Sequence, residues 1–384
     1  MIARMSIPIL LLLVLTDAYF LRRYGRKIWP LTLPTLPLAA LTLWFSFSSG
    51  SFVPEEVGAF NWYLFALAVT LAPKVAFVCC SVLGRRVRRL LHSRSNYGNL
   101  VGLVLALCSV AAVIYGSTSG ISHVQVKRVT IESRQLPDAF DGYRIVLFSD
   151  LHVGTFNGWR EPIMRAAIDS INAQKADAIA FAGDLQNMFP TEIYPYMDLL
   201  NGLQARDGVF AVLGNHDYDC YQGDDLSQAE KVANCRETAS RERQLGWTLL
   251  QNSHALVTRG GKSIVFAGEE DANKKQHPDL CNVEKTMQGV DDDAFVVMLQ
   301  HDPRAWRDHI LSKSQAQLTL SGHTHGGQVR LLGWSPVSLV YDEYAGLYTE
   351  GTRTLYVTTG VGALLPFRLG VPPEIVVITL RRSL

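Results

Sequence analysis

Hydrophobic and polar positions divide the chain into two unlike parts. Up to residue 121 the apolar residues come in long, nearly charge-free runs at 7–21, 29–49, 57–83 and 98–116. A helix needs about 20 apolar residues to cross a bilayer core, so the pattern predicts a four-helix transmembrane region. The first run is short and carries Asp17, which leaves a signal-like segment open. Arg22, Arg23, Arg26 and Lys27 follow it in place of a small-residue cleavage site, a flank that suits a retained anchor. Pro73 and Lys74 interrupt the third run and predict a tilt or kink. Beyond residue 121 short β-rich runs alternate with helical stretches, the pattern of an α/β domain. Strands are predicted at 123–132, 143–149, 177–182, 209–213, 295–299, 317–320, 354–359 and 375–380, and helices at 161–173 and 192–204. The predicted division is 1–121, transmembrane, and 122–384, α/β.

Charge sharpens that division. Residues 1–121 hold 11 Lys/Arg against 3 Asp/Glu, whereas residues 122–384 hold 25 against 32. The acidic balance of the larger part argues against a nucleic-acid partner. A hydrophobic content of 48% and six Cys in 384 residues exclude a disordered chain and a disulfide-built miniprotein. The basic residues after the first run, and Arg85, Arg86, Arg88, Arg89 and Arg94 after the third, mark cytoplasmic loops; Glu55 and Glu56 lie between them. Four crossings then put the domain from 122 onward on the extracytoplasmic side. Asp17 and Lys74 are expected to pair or to snorkel to the nearer surface.

The chemistry lies at strand ends. Five consecutive predicted strands deliver Asp150 and His152, Asp184, Asn215 to Asp217, His301, and His323 with His325. In open α/β sheets the carboxyl ends of the strands are where ligands bind. Singly, Asp-x-His or Gly-Asp is weak. Polar GNHD straight after a buried strand needs partners, and GHTHGGQ at 322–328 sets two imidazoles among glycines that let backbone approach an ion. In this order they predict one metal-binding cluster. His92, His123, His254, His277 and His309 lack such context.

FSDLH at 148–152, AGDL at 182–185, LGNHD at 213–217, LQHDP at 299–303 and SGHTHGGQ at 321–328 resemble the five signature blocks of the calcineurin-like metallophosphoesterases. The stretch 346–380 is similar to a membrane-associated bacterial branch whose relatives include UDP-2,3-diacylglucosamine pyrophosphatases. The resemblance implies a four-layer α/β/β/α sandwich around two mixed sheets, holding two divalent metal ions. It assigns Asp150, His152 and His325 to one metal, Asn215, His301 and His323 to the other, and Asp184 to both. It makes His216 the catalytic residue beside them, protonating the leaving oxygen or stabilising phosphoryl charge. Donors without thiolate suit Mn, Fe, Zn or Co, with Mn favoured. Two such cations about 3.5–4 Å apart activate water and neutralise phosphate, so direct hydrolysis needs no covalent intermediate. Many members carry Asp three residues past the bridging Asp, orienting the His of GNH; here Asn187 stands there, which predicts a weaker acid and substrates with good leaving groups.

Tyr218, Arg330 and Arg368 are the candidate substrate contacts. Cys220 and Cys235 bracket a polar insertion and could close a loop of about 15 residues, worth roughly 3 kcal/mol in an oxidising compartment. The expected function is a membrane-anchored dinuclear phosphoesterase acting on a phosphodiester or pyrophosphate. A phospholipid or lipid-linked pyrophosphate of the envelope is the expected substrate, the bilayer the expected partner, and a bacterial inner membrane the expected location. Relatives that act on nucleotide-linked lipids work at the cytoplasmic face, the opposite side from the charge-based topology. The alternatives are a catalytically silent sensor or scaffold, against which all seven ligand positions stand, and a small transporter with an accessory domain.

Overall fold

The computed structural model describes residues 2–48, 57–218, 221, 226–272 and 280–383. The chain forms two compact units that divide near residue 119. The first contains α1 (Ile2–Tyr24), α2 (Thr35–Ser48), α3 (Val57–Leu90) and α4 (Gly98–Ser117). Four stretches, Met5–Tyr24, Lys27–Phe47, Val57–Leu90 and Gly98–Ser122, are long and apolar enough to cross a membrane. Helices α3 and α4 approach closely where a Cβ on Gly98 would fall on the Cys80 carbonyl. Small residues at such crossings let backbones touch where lipid supplies no hydrophobic drive. Lys74 Nζ lies 2.7 Å from Asp17 Oδ1 and 3.0 Å from Thr35 Oγ1, both charges buried, so the expected pair forms and joins α1, α2 and α3.

One predicted run differs in detail, whereas the third forms a single 34-residue helix, α3, with Pro73 inside it. The run at 29–49 is not one helix: a 3-10 segment, Arg26–Thr32, carries Pro30, and the α-helix starts at Thr35, just past Pro34.

Among the described residues, the second unit holds twelve strands in two six-stranded mixed sheets. In chain order they are β1 (Gln125–Ser133), β2 (Arg144–Phe148), β3 (Ala178–Phe181), β4 (Val209–Ala211), β5 (Thr248–Leu249), β6 (Ser253–Arg259), β7 (Lys262–Gly268), β8 (Phe295–Leu299), β9 (Leu318–Ser321), β10 (Gly346–Glu350), β11 (Arg353–Val357) and β12 (Glu374–Arg382). The first sheet runs β1-β12-β2-β3-β4-β5 and the second β10-β11-β9-β8-β7-β6. Their inner faces share one core, in which Leu147, Phe210 and Val212 meet Phe266, Val297 and Leu320. The rings of Phe210 and Phe266 stack at 4.1 Å between centroids.

Helix α5 (Glu161–Ala173) covers the outer face of the first sheet with Met164, Ala167, Ile168 and Ile171, a stripe at helical spacing. Trp306 and Ile310, in a short π-helical turn, cover the second sheet. The layers are therefore α/β/β/α, as the resemblance implied. Residues 192–204 are not one helix. Pro190 and Pro195 sit in 3-10 turns, Pro190–Glu192 and Tyr194–Tyr196, and leave a single α turn at Met197–Leu200.

Candidate metal centre

Strands β2, β3 and β4 run parallel in one sheet, and β8 and β9 run parallel in the other. The loop after each carries the predicted donors. They do not come from five consecutive strands, because β5 to β7 intervene and each sheet supplies part of the set. Among the described residues, three overlapping groups have donor atoms within 4.8 Å of one another: Asp150 with His152 and His325, His152 with Asp184 and His216, and Asp150 with Asp184 and His301. His152 Nε2 lies 3.3 Å from His325 Nε2, and His325 Nε2 lies 3.5 Å from Asp150 Oδ1. Asp184 Oδ2 is 3.6 Å from His152 Nε2 and 3.1 Å from His301 Nε2, so one carboxylate faces both halves. Asn215 Oδ1 sits 3.1 Å from His301 Nε2 and 2.6 Å from His323 Nδ1.

Backbone geometry aims these side chains. Asp150, His152, Asp184, His323 and His325 all have left-handed φ, between 47° and 73°. Such conformations are costly for non-glycine residues and gather at functional sites. Gly322 permits the approach of the two sheets, since a Cβ there would fall on Ser149 Oγ and Asp150 Oδ2. Asp217 ties the loops together by accepting from the N–H groups of Asp184 (2.8 Å), Leu185 (2.9 Å), Gln186 (3.1 Å) and Gly214 (2.9 Å).

The far nitrogen of three imidazoles is already engaged. His152 Nδ1 faces Gln186 O at 3.2 Å, His301 Nδ1 faces Ala182 O at 2.6 Å, and His323 Nε2 faces Tyr341 Oη at 2.8 Å. Carbonyl and phenol partners of this kind fix the ring and leave the inner nitrogen for a metal. Burial pushes His152 down to about 3 and His323 down to about 4, keeping those imidazoles neutral. Burial also raises Asp150 to about 6, although His301 opposes the shift. At His301 burial opposes charge, but Asp184 and Asp150 outweigh it and push the group up to about 10. The pocket thus stabilises positive charge between its carboxylates. Imidazole nitrogens, carboxylates and one amide oxygen, with no thiolate, fit divalent transition ions.

His216 stands beside these donors. Its Nδ1 donates to the Asn187 carbonyl at 2.6 Å, its N–H donates to Asp184 Oδ1 at 2.8 Å, and its ring stacks on Tyr221 at 4.0 Å. Burial lowers its pKa from the usual imidazole value.

Comparison with known proteins fits this geometry. Residues 143–327 match the family model for calcineurin-like phosphoesterases. Residues 3–121 match a model described as "Probable Calcineurin-like phosphoesterase, transmembrane domain". The metallophosphoesterase YkuE of Bacillus subtilis is 31% identical over 270 residues, 68% of this chain and 86% of its own. The chain belongs to the calcineurin-like metallophosphoesterases. It is also similar to a transmembrane protein with metallophosphoesterase domain from Danio rerio, 29% identical over 318 residues, 80% of this chain and 69% of the relative. A metallophosphoesterase of Aquifex aeolicus is 28% identical over 276 residues, 70% and 97% of the two chains. The four apolar helices and the matching transmembrane model make this phosphoesterase a membrane protein.

The remaining predicted residues of the phosphoesterase domain differ in their surroundings, and of them Arg368 lies near enough to Asp150 and His325 for their charges to interact. Tyr218 is buried in an apolar cluster with Leu213 and Ala239, against which Cys235 packs. Arg330 is half-buried, its guanidinium 5.9 Å from the Tyr344 ring centroid. Arg368 is 1% exposed and bonds the carbonyls of Thr359 and Gly360 at 2.8 and 3.2 Å, and that of Gly362 at 2.5 Å, so its guanidinium braces a loop. Asn187 does not hold His216 through its amide; its main-chain carbonyl does. Cys220, and with it the expected pairing to Cys235, lies outside the described residues. Tyr221 and Tyr341 were not singled out from the sequence, and Asp217 stood there only as part of GNHD, without a role of its own.

Proposed function

We propose that the chain is a membrane-anchored dinuclear-metal phosphoesterase that hydrolyses phosphodiester or pyrophosphate bonds by direct in-line attack. The observation that carries this reading is the convergence of donors from both sheets on Asp184, with His216 alongside. Asp150, His152 and His325 would hold one divalent ion, Asn215, His301 and His323 the other, and Asp184 both. When bound, such ions activate water and neutralise phosphate charge. His216, fixed through Nδ1 on a carbonyl, directs Nε2 to its task. Protonated there, it stabilises the phosphoryl oxygens or hands a proton to the leaving oxygen. A neutral carbonyl supports that charge less than a carboxylate, and burial lowers the pKa further. Leaving groups that need little protonation follow: acidic alcohols and phosphates.

Membrane attachment supports a lipid-linked or envelope substrate, and the basic loops support an extracytoplasmic active site. Hydrolysis of bis-p-nitrophenyl phosphate by the full chain in detergent tests the reading, metal-stripped and then reloaded with Mn²⁺. Turnover should require metal and vanish in Asp184→Asn, together with loss of bound metal by elemental analysis. A folded chain that shows no turnover with Mn, Fe, Zn or Co would favour the silent sensor or scaffold.

A further inference from the structure

Residues 331–340 form an apolar tip beside the candidate centre. Leu331, Leu332, Trp334, Leu339 and Val340 all stand exposed, Leu332 fully. Among the described residues of the α/β unit outside 331–347, exposed large apolar side chains are few and scattered: Trp159, Tyr194, Val232 and Leu256. A contiguous exposed apolar patch marks an interaction surface, where single exposed residues do not.

The backbone adds a second, independent observation. Leu331 and Trp334 exchange N–H to carbonyl bonds of 2.9 and 3.0 Å around Leu332 and Gly333. Both central residues have positive φ, 51° and 84°. Turns of this kind favour Asn, Asp or Gly at both positions, and a branched apolar residue there is strained. Leu332 is therefore unsuited to its turn and buries nothing within the chain. Neither packing nor turn chemistry accounts for it.

Charge and tether select the occupant. The segment 328–341 holds Arg330 and no Asp or Glu, inside a unit whose acidic residues outnumber its basic ones. Trp, Leu and a basic residue without acids suit a lipid headgroup boundary. Only residues 118–124 join α4 to β1, and Ser119–Ser122 of them form a helical turn, so the α/β unit is tethered to the membrane helices by a short link. The tip is also fastened to the centre at both ends, by His325 before it and by Tyr341 after it, whose phenol lies 2.8 Å from His323 Nε2. Ser335 Oγ donates to Gly326 O at 3.0 Å and holds the base of the tip.

We infer that residues 331–340 dip into the bilayer interface and hold the metal centre against phosphate esters carried on lipid. This deepens the proposed function and rests on it for the chemistry of the site, whereas the lipid contact stands without turnover. The test uses the full chain in phospholipid vesicles with p-benzoylphenylalanine at position 332. Position 107 in α4 is the membrane control and position 256 in β6 the exposed apolar control. Irradiation should add the mass of one phospholipid at 332 and at 107, and none at 256. The same result in the Asp184→Asn chain separates lipid contact from catalysis. No lipid adduct at 332 beside one at 107, or a cross-link to a second copy of the chain, would overturn the inference. A paired variant, Leu332→Asn with Trp334→Ser, should leave bis-p-nitrophenyl phosphate hydrolysis unchanged. It should slow that of hexadecyl p-nitrophenyl phosphate in vesicles several-fold, and an equal loss on both substrates would count against the tip.

Discussion

His216 takes its orientation from a main-chain atom, and that choice decides what its neighbours do. The Asn187 amide is fully buried, with no hydrogen-bond partner for either side-chain atom among the described residues. Asn187→Asp would therefore place a carboxylate beside Glu192, which already accepts the N–H groups of residues 187 to 189. The expected result is a stability loss of about 1–3 kcal/mol, read by thermal unfolding of the full chain. Turnover should change less than in His216→Ala; a rate gain on a poor-leaving-group ester at unchanged stability would contradict it. Glu192 itself is pushed by burial up to about 7 from a usual 4.5. Its folded form binds a proton more tightly than its unfolded form, so stability falls as pH rises from about 4.5 to 7. Glu192→Gln should flatten that slope in melting temperature against pH, and an unchanged slope would refute the assignment. The candidate metal donors were legible because each sits in a short block directly after a buried strand. Tyr221 and Tyr341 were not, since a ring stack and a phenol contact leave no spacing to read. The bracing role of Arg368 was not legible either, because its partners, three carbonyls of one loop, meet it only once the chain is folded.

At the scale of elements, the pattern of apolar positions located α5 and the strands that carry the site, because burial on one face imposes a period. It did not show α6 (Gln228–Gln244), a polar helix whose start is marked instead by Ser227 and Glu230 in a reciprocal cap. The β6–β7 hairpin turns on Gly260 and Gly261, both with positive φ, a Gly-Gly pair that favours such a turn. Residues 192–204 read as a helix by apolar spacing, yet Pro195 interrupts them within a 3-10 turn. The turn at Leu332 carries a prediction of its own. Leu332→Asn should stabilise the fold by up to about 1 kcal/mol, because Asn accepts a left-handed conformation more readily. Thermal unfolding of the detergent-solubilised chain would register it, and a loss would mean that Leu332 makes a contact within the fold.

Across the whole molecule, the membrane part was legible as four apolar runs and a lone charge pair, and the Asp17–Lys74 contact gives that pair a structural role. Asp17→Asn or Lys74→Met alone should destabilise the helical unit by about 3 kcal/mol, because each leaves a buried charge unpaired. The double variant should recover part of that loss, as a double-mutant cycle in detergent would show; additive losses would mean that the two residues act apart. The two-sheet origin of the centre was not legible, since strand ends in a sequence do not say which sheet they join. Strand order also sets a schedule. β1 follows the membrane helices directly, yet its sheet neighbour is β12, at the opposite end of the chain, and β12 also separates β1 from β2. During synthesis β1 waits for residues 134–373 before its partner exists, roughly 12–50 s at 5–20 residues per second. A ribosome that stops short of Glu374 thus releases a chain with membrane helices in place and two strand edges unsealed, a ready substrate for quality-control proteases.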